Sequence, residues 1–172
     1  MKNLLILFFL IPISIYAQRY EMASNINFST GLLTNGHTIG LGYEKHFSFN
    51  SAIVFDINYM SRKKKVTGFE KKMELDTYFF TAKYRTYTSC KGIFPYVSLG
   101  GFGGYENFLN ENDYPNTTTI NYEKGLIYGV SSDVGVEYNM KSISVDLLTA
   151  PMYEFKNQTF FIPVKLSIKY FF

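Results

Sequence analysis

No tryptophan, one cysteine and two histidines occur among 172 residues, and each scarcity excludes a class of protein. A lone Cys90 cannot form an internal disulfide, so stability has to come from a hydrogen-bonded fold and not from covalent staples. Cys90 also lies far from the N-terminus, which leaves no thiol for a lipid anchor there; it is read as an unpaired turn residue without a role. His37 and His46 are too few to hold a metal, and on one predicted strand they stand near opposite ends. Charge of one sign is lacking too. Seventeen Lys and Arg against 14 Asp and Glu give a net charge of +3, which does not argue for direct nucleic-acid binding. Gly100-Gly101-Phe102-Gly103-Gly104 lacks the lysine and the following helix of a phosphate loop. No catalytic, cofactor-binding or metal-ligating constellation is predicted, and the chain is not expected to be an enzyme.

Long hydrophobic runs are missing as well. The one apolar stretch, Leu4–Ile15, is interrupted by Pro12 and falls short of the roughly 20 residues of a membrane-spanning helix. With Lys2 and Asn3 before it and the small Ala17 after it, the stretch reads as a signal peptide over residues 1–17, cleaved before Gln18. Residues 18–172 are then enough for one exported domain.

Aromatic residues are what the sequence has in excess, at 19 % of the chain with 15 tyrosines and 17 phenylalanines. Tyrosine, with an apolar ring and a polar tip, suits the girdles where a membrane barrel meets water. The last fourteen residues, TFFIPVKLSIKYFF, alternate with period two. Phe160, Ile162, Val164, Leu166, Ile168, Tyr170 and Phe172 share one face, while Lys165, Ser167 and Lys169, with Pro163, Phe161 and Phe171, share the other. A strand with one greasy and one charged face asks for lipid on one side and a polar interior on the other.

Seven further segments carry the same parity. Ile26, Phe28 and Leu32 oppose Asn25, Asn27 and Ser29 before a turn at Thr34-Asn35-Gly36. Ile39, Leu41, Tyr43 and Phe47 oppose Gly40, Gly42, Glu44 and His46 in the second strand. The third sets Ile53, Phe55, Ile57 and Tyr59 against Val54, Asp56 and Asn58, and a long polar connection from Met60 to about Glu74 is expected after it. Tyr78, Phe80, Ala82 and Tyr84 then oppose Thr81, Lys83 and Arg85. The fifth strand, about Phe94 to Tyr105, is obscured by its glycines, and its parity is ambiguous around Phe102. The sixth sets Leu126, Tyr128, Val130, Val134, Val136 and Tyr138 against Gly129, Ser131, Asp133, Gly135 and Glu137. The seventh sets Ile143, Val145 and Leu147 against Ser144 and Asp146, and a loop around Pro151 to Gln158 is expected before the last strand.

The expected fold is all-β, an eight-stranded antiparallel up-and-down transmembrane β-barrel with short turns and both termini at one end. A secreted soluble barrel of the lipocalin kind would use the same alternation with the apolar face inward. The near absence of charge on the apolar face favours lipid, because a charge there would cost about 2–4 kcal/mol at the midplane. Glu44, Asp56, Lys83, Arg85, Asp133, Glu137, Asp146 and Lys165 are then candidates for a salt-bridged network inside the lumen. Arg62, Lys63, Lys64 and Lys65 are a candidate outer-loop contact, and Tyr105, Asn107, Asp113, Tyr114 and Asn116 to Thr119 mark an adhesive or partner-facing third loop.

Phe172, with Tyr170 and Ile168, resembles the terminal signal read by the assembly machinery of bacterial outer-membrane barrels. Ala17-Gln18-Arg19, Gly100-Gly101 followed by Gly104-Tyr105-Glu106, and Ile127-Tyr128-Gly129 resemble the TraO family of Bacteroidetes conjugative transposons. Where many of those relatives have a cysteine and Pro-Gly, this chain has Tyr20-Glu21-Met22. The resemblance implies an outer-membrane component of a conjugative DNA-transfer apparatus, with outer-membrane lipid, other transfer proteins and the barrel-assembly machinery as partners and with no cofactor. The alternative is a general small barrel of the OmpX-like or PorT-like kind, serving adhesion, envelope integrity or secretion.

Overall fold

The computed structural model describes residues 23–65, 72–88, 92–108, 125–140 and 142–172. The predicted signal peptide, its cleavage site and Cys90 lie outside the described residues.

Alternation of apolar and polar residues builds ten strand segments: β1 (Ser24–Leu33), β2 (Gly36–Ser48), β3 (Ser51–Lys65), β4 (Lys72–Tyr87), β5 (Ile93–Phe108), β6 (Gly125–Met140), β7 (Ile143–Thr149), β8 (Met152–Glu154), β9 (Thr159–Phe161) and β10 (Val164–Phe171). Each of β1 to β6 pairs antiparallel with the next, and β10 pairs with both β7 and β1 to close the ring. β8 continues β7 past Ala150-Pro151, and β9 leads into β10 across Ile162-Pro163. Both do so without a change of register, since Val164↔Thr149 passes to Phe161↔Met152. The ten segments are therefore eight staves of one closed antiparallel barrel. Pro151 and Pro163 have no N–H to donate to the ladder, yet their carbonyls still accept from Ser132 at 3.0 Å and Ala150 at 2.9 Å.

Two boundaries differ from the sequence expectation. The connection expected over 60–74 is mostly strand, because β3 runs to Lys65 and β4 starts at Lys72, with Lys63 facing Glu74 across the ladder. The expected loop at Pro151 is likewise strand as far as Glu154. At the first, the outside of the wall turns from apolar to charged at Lys63 and Glu74, so the hydrophobic signal ends before the hydrogen bonding does; at the second, Tyr153 and Phe155 keep the outer face aromatic, and Pro151 is what breaks the strand signal.

The apolar parity faces outward all round the barrel. Leu126 is 74 % exposed, Leu32 71 % and Leu99 69 %, and such residues recur on every stave as a continuous apolar belt, the kind of surface that marks an interaction or membrane-facing side. On β2 this belt lies between His37 and Lys45, about 27 Å apart along a tilted strand, of the order of the ~25 Å apolar band of membrane barrels. Tyrosines rim it at both edges. Tyr59, Tyr78, Tyr105, Tyr128 and Tyr153 stand toward the end that carries the 66–71 and 109–124 connections, called here the loop end. Tyr43, Tyr84, Tyr138 and Tyr170 stand toward the end that carries the C-terminus. The Tyr59 hydroxyl donates to Asp76 at 2.8 Å, which fixes the polar tip at the boundary and leaves the ring in the belt.

Glycines settle the fifth strand. Phe102 is buried inside the barrel opposite Gly129, and Tyr96 opposite Gly135, where a Cβ would come within 2.6 Å of the Tyr96 ring. Small residues on β6 thus make room for large ones on β5. Gly100 meets the backbone of Ala82 and Lys83 instead, and backbone cannot swing aside. Gly100→Ala is expected to cost about 1–3 kcal/mol. Gly103→Ala, whose Cβ would have its nearest neighbour at 4.0 Å, should be neutral, and urea unfolding of the two variants in lipid vesicles checks both.

Candidate functional site: a layered lumen

The polar parity of eight staves converges on a space only wide enough for side chains. Toward the terminal end lies a charged layer. It brings Glu44 from β2, Asp56 from β3, Lys83 and Arg85 from β4, Asp133 and Glu137 from β6, Asp146 from β7, and Lys165 and Lys169 from β10. All eight residues read from the sequence as candidate lumen charges turn inward.

Lys169 is the hub. Its ammonium reaches Glu137 at 2.6 Å, Glu44 at 3.0 Å and Asp146 at 3.4 Å. Arg85 bridges this group to the next, with Glu44 at 3.3 Å and Asp133 at 3.2 Å. Asp133 accepts from Lys83 at 2.9 Å and from the Ser98 hydroxyl at 2.7 Å. Lys83 also lies 3.5 Å from Asp56, and Lys165 donates to the Asn58 side chain at 2.8 Å. Two tyrosines complete the layer. Tyr87 donates to Glu44, and Tyr96 donates to Asp146 at 2.7 Å while the Arg85 guanidinium lies 4.1 Å from its ring centre. Charges this deeply buried persist only when paired and hydrogen-bonded, which is why acids and bases here alternate in space. The cavity left among them is about 20 Å³, room for one water.

Above it lies an apolar layer of Met60, Phe79, Phe102, Ile127, Met152 and Phe161. Phe102 meets Phe79 and Phe161 edge to face, with centroids 5.9 and 6.4 Å apart. A second, smaller polar group covers this layer at the loop end. There Arg62 bonds Glu106 and stands 3.8 Å from Glu154, and Thr77 donates to Glu106 at 2.9 Å.

Arg62 therefore corrects the sequence reading. It was expected in an outer loop, but it continues the inward parity of Asn58 and Met60 and is buried. Lys63 does point outward and pairs with Glu74 at 2.7 Å. Lys64 and Lys65 fall within β3, with side chains outside the described residues. Of the third loop, Tyr105 and Asn107 are exposed on β5, and Asp113, Tyr114 and Asn116 to Thr119 lie outside the described residues. Ile168, Tyr170 and Phe172 face outward, and Phe172 exchanges backbone hydrogen bonds with Ser24 at 3.0 and 3.3 Å across the seam. His37 is exposed near the loop end, and His46 is buried 3.4 Å from Glu44. Glu106, Glu154, Tyr87 and the Tyr96 hydroxyl are lumen groups that the sequence reading does not identify as such. Parity was the available signal, since Tyr87 continues Lys83 and Arg85, and Tyr96 shares the face of Ser98.

An uncharged apolar wall around a filled, salt-bridged interior defines the class of closed eight-stranded outer-membrane-type β-barrels. Solved structures of that class resemble the chain in fold. The N-terminal barrel domain of Pseudomonas aeruginosa OprF superposes with a TM-score of 0.59 at 11% identity, covering 90% of this chain and 100% of that one. OprG from the same organism gives 0.56 at 10% identity over 91% of this chain and 99% of that one. Ail, the attachment invasion locus protein of Yersinia pestis, gives 0.55 at 13% identity over 89% of this chain and 100% of that one. The sequence matches no family model and no curated protein.

Proposed function

We propose that the chain is a non-enzymatic barrel of the bacterial outer membrane that serves as a structural and interaction component of the envelope and passes nothing through its centre. The carrying observation is the filled lumen, in which an apolar layer separates two charged ones. In this reading residues 1–17 direct export, and the assembly machinery reads Ile168, Tyr170 and Phe172. The terminal end faces the periplasm, and the loop end meets the outside. Ail, named for attachment and invasion, supports a contact role for such a surface. The test is passage. Purified barrel in planar bilayers should show no steady conductance, and vesicles carrying it should not swell in small sugars. A stable open channel would contradict the proposal.

Conjugation remains the finer reading implied by the resemblance to TraO, resting on Gly100-Gly101, Gly104-Tyr105-Glu106 and Ile127-Tyr128-Gly129. A donor lacking the gene should then transfer its element far less often and recover on complementation. Unchanged transfer would leave the general envelope role.

A further inference from the structure

The hairpin of β1 and β2 is the low point of the loop end. It turns at Thr34-Asn35, while β3 on one side continues to Lys65 and β9 on the other rises to Thr159. The β1–β10 ladder stops at Leu32↔Val164, and β9 pairs with β8 alone. The wall therefore has a notch between Arg62-Lys63 and Thr159–Ile162, floored by Leu33, Thr34 and Asn35, with a cavity of about 360 Å³. That is the size of a small ligand site.

Its lining is amphipathic and of one sign. Among the described residues, both ionisable ones that line it, Arg62 and Lys63, are cations, and none is a carboxylate. Phe160 and Ile162 stand on the outward face, so the notch opens sideways toward the belt at the level where charge begins. Its back is closed. Phe161 belongs to the apolar layer of the lumen, and the Arg62 guanidinium lies 4.9 Å from its ring centre. β9 is only three residues long, too short an edge for a partner strand to add to with useful affinity. Among the described residues Lys63 pairs with Glu74 at an exposed site, and such pairs hold weakly.

We propose that this notch holds one acyl chain of an anionic lipid of the surrounding membrane, with the phosphate at Lys63 and Arg62 and the chain against Leu33, Phe160 and Ile162. The proposal rests on the membrane reading above. Lys63 reads the head group, because Arg62 is already partly neutralised by Glu106 and Glu154.

The absence of tryptophan makes a single introduced one a clean reporter. Phe160→Trp reports the notch, and Leu147→Trp reports the belt away from it. Full-length barrels reconstituted in phosphatidylcholine are titrated with phosphatidylglycerol or phosphatidylcholine whose acyl chains are brominated, and tryptophan quenching is read. At Phe160→Trp the anionic lipid should quench with about fivefold greater apparent affinity, the effect of one partly exposed charge pair, and adding Lys63→Gln should abolish that preference. At Leu147→Trp both lipids should quench equally. Equal quenching by both lipids at Phe160→Trp, or a preference that survives Lys63→Gln, would overturn the notch while leaving the membrane reading intact. No quenching at Leu147→Trp would overturn both. Brominated fatty acid in place of phosphatidylglycerol separates the sources, and preferential capture of the free acid would overturn the lipid assignment.

Discussion

Replacing Lys169 by methionine is expected to lower the unfolding free energy by about 3–5 kcal/mol, because it leaves buried carboxylates without their cation. Methionine keeps the volume, so the loss is electrostatic. Glu44, Glu137 and Asp146 all lie within 3.4 Å of the ammonium, and Arg85 cannot serve all three while it also holds Asp133. Lys169→Arg should keep most of the stability, and pairing Lys169→Met with Glu137→Gln should restore part of it. Urea unfolding in lipid vesicles, followed by tyrosine emission and by the heat-dependent mobility shift on gels, gives the numbers. A loss under about 1 kcal/mol, the size of an exposed pair, would mean that water enters the layer and that the lumen is not sealed.

Leu99→Arg should cost about 2–4 kcal/mol in a bilayer. Leu99 lies outward on β5 midway between Ile93 and Tyr105, and its cross-strand neighbours are Tyr84 and Ser132. On a water-facing surface the same change would fall within about 0.5 kcal/mol of neutral, so the two environments predict different results for one substitution. His37→Arg, at the edge of the belt, should cost no more than about 1 kcal/mol. The depth dependence follows from the price of moving charge out of water, and a flat series would place the belt in solvent.

The architecture was legible because the constraint that forms it is periodic. A closed wall between lipid and a narrow interior forces every second residue to be apolar and the rest polar, and that alternation survives in the sequence from Ile26 to Tyr170. Lumen charges could be read for the same reason. What sequence reasoning missed lies where the rule loses contrast. Arg62 was taken for loop because Lys63 to Lys65 follow it, yet a wall that projects above the membrane has water on its outer face and charge on both parities. Phe102 was ambiguous because glycines flank it, and its place emerges only from the register that sets it against Gly129. The apolar layer was invisible for a different reason. Met60, Phe79 and Phe161 share the polar parity, and nothing local distinguishes a lumen phenylalanine from a lipid-facing one that is out of phase. The notch depends on the relative heights of β2, β3 and β9, a property of the assembled ring.

Which side of the wall meets lipid is reported, without any substitution, by the adjacent residues Leu147 and Leu148. Leu147 is 59% exposed and Leu148 is 7% exposed, on opposite faces of β7. In nanodiscs with methyl-labelled leucine, magnetisation transfer from the acyl chains should reach the Leu147 methyls strongly and the Leu148 methyls not at all. Transfer to neither residue, with the Leu147 methyls exchanging magnetisation with water, would contradict the membrane barrel and turn the same fold into a soluble one.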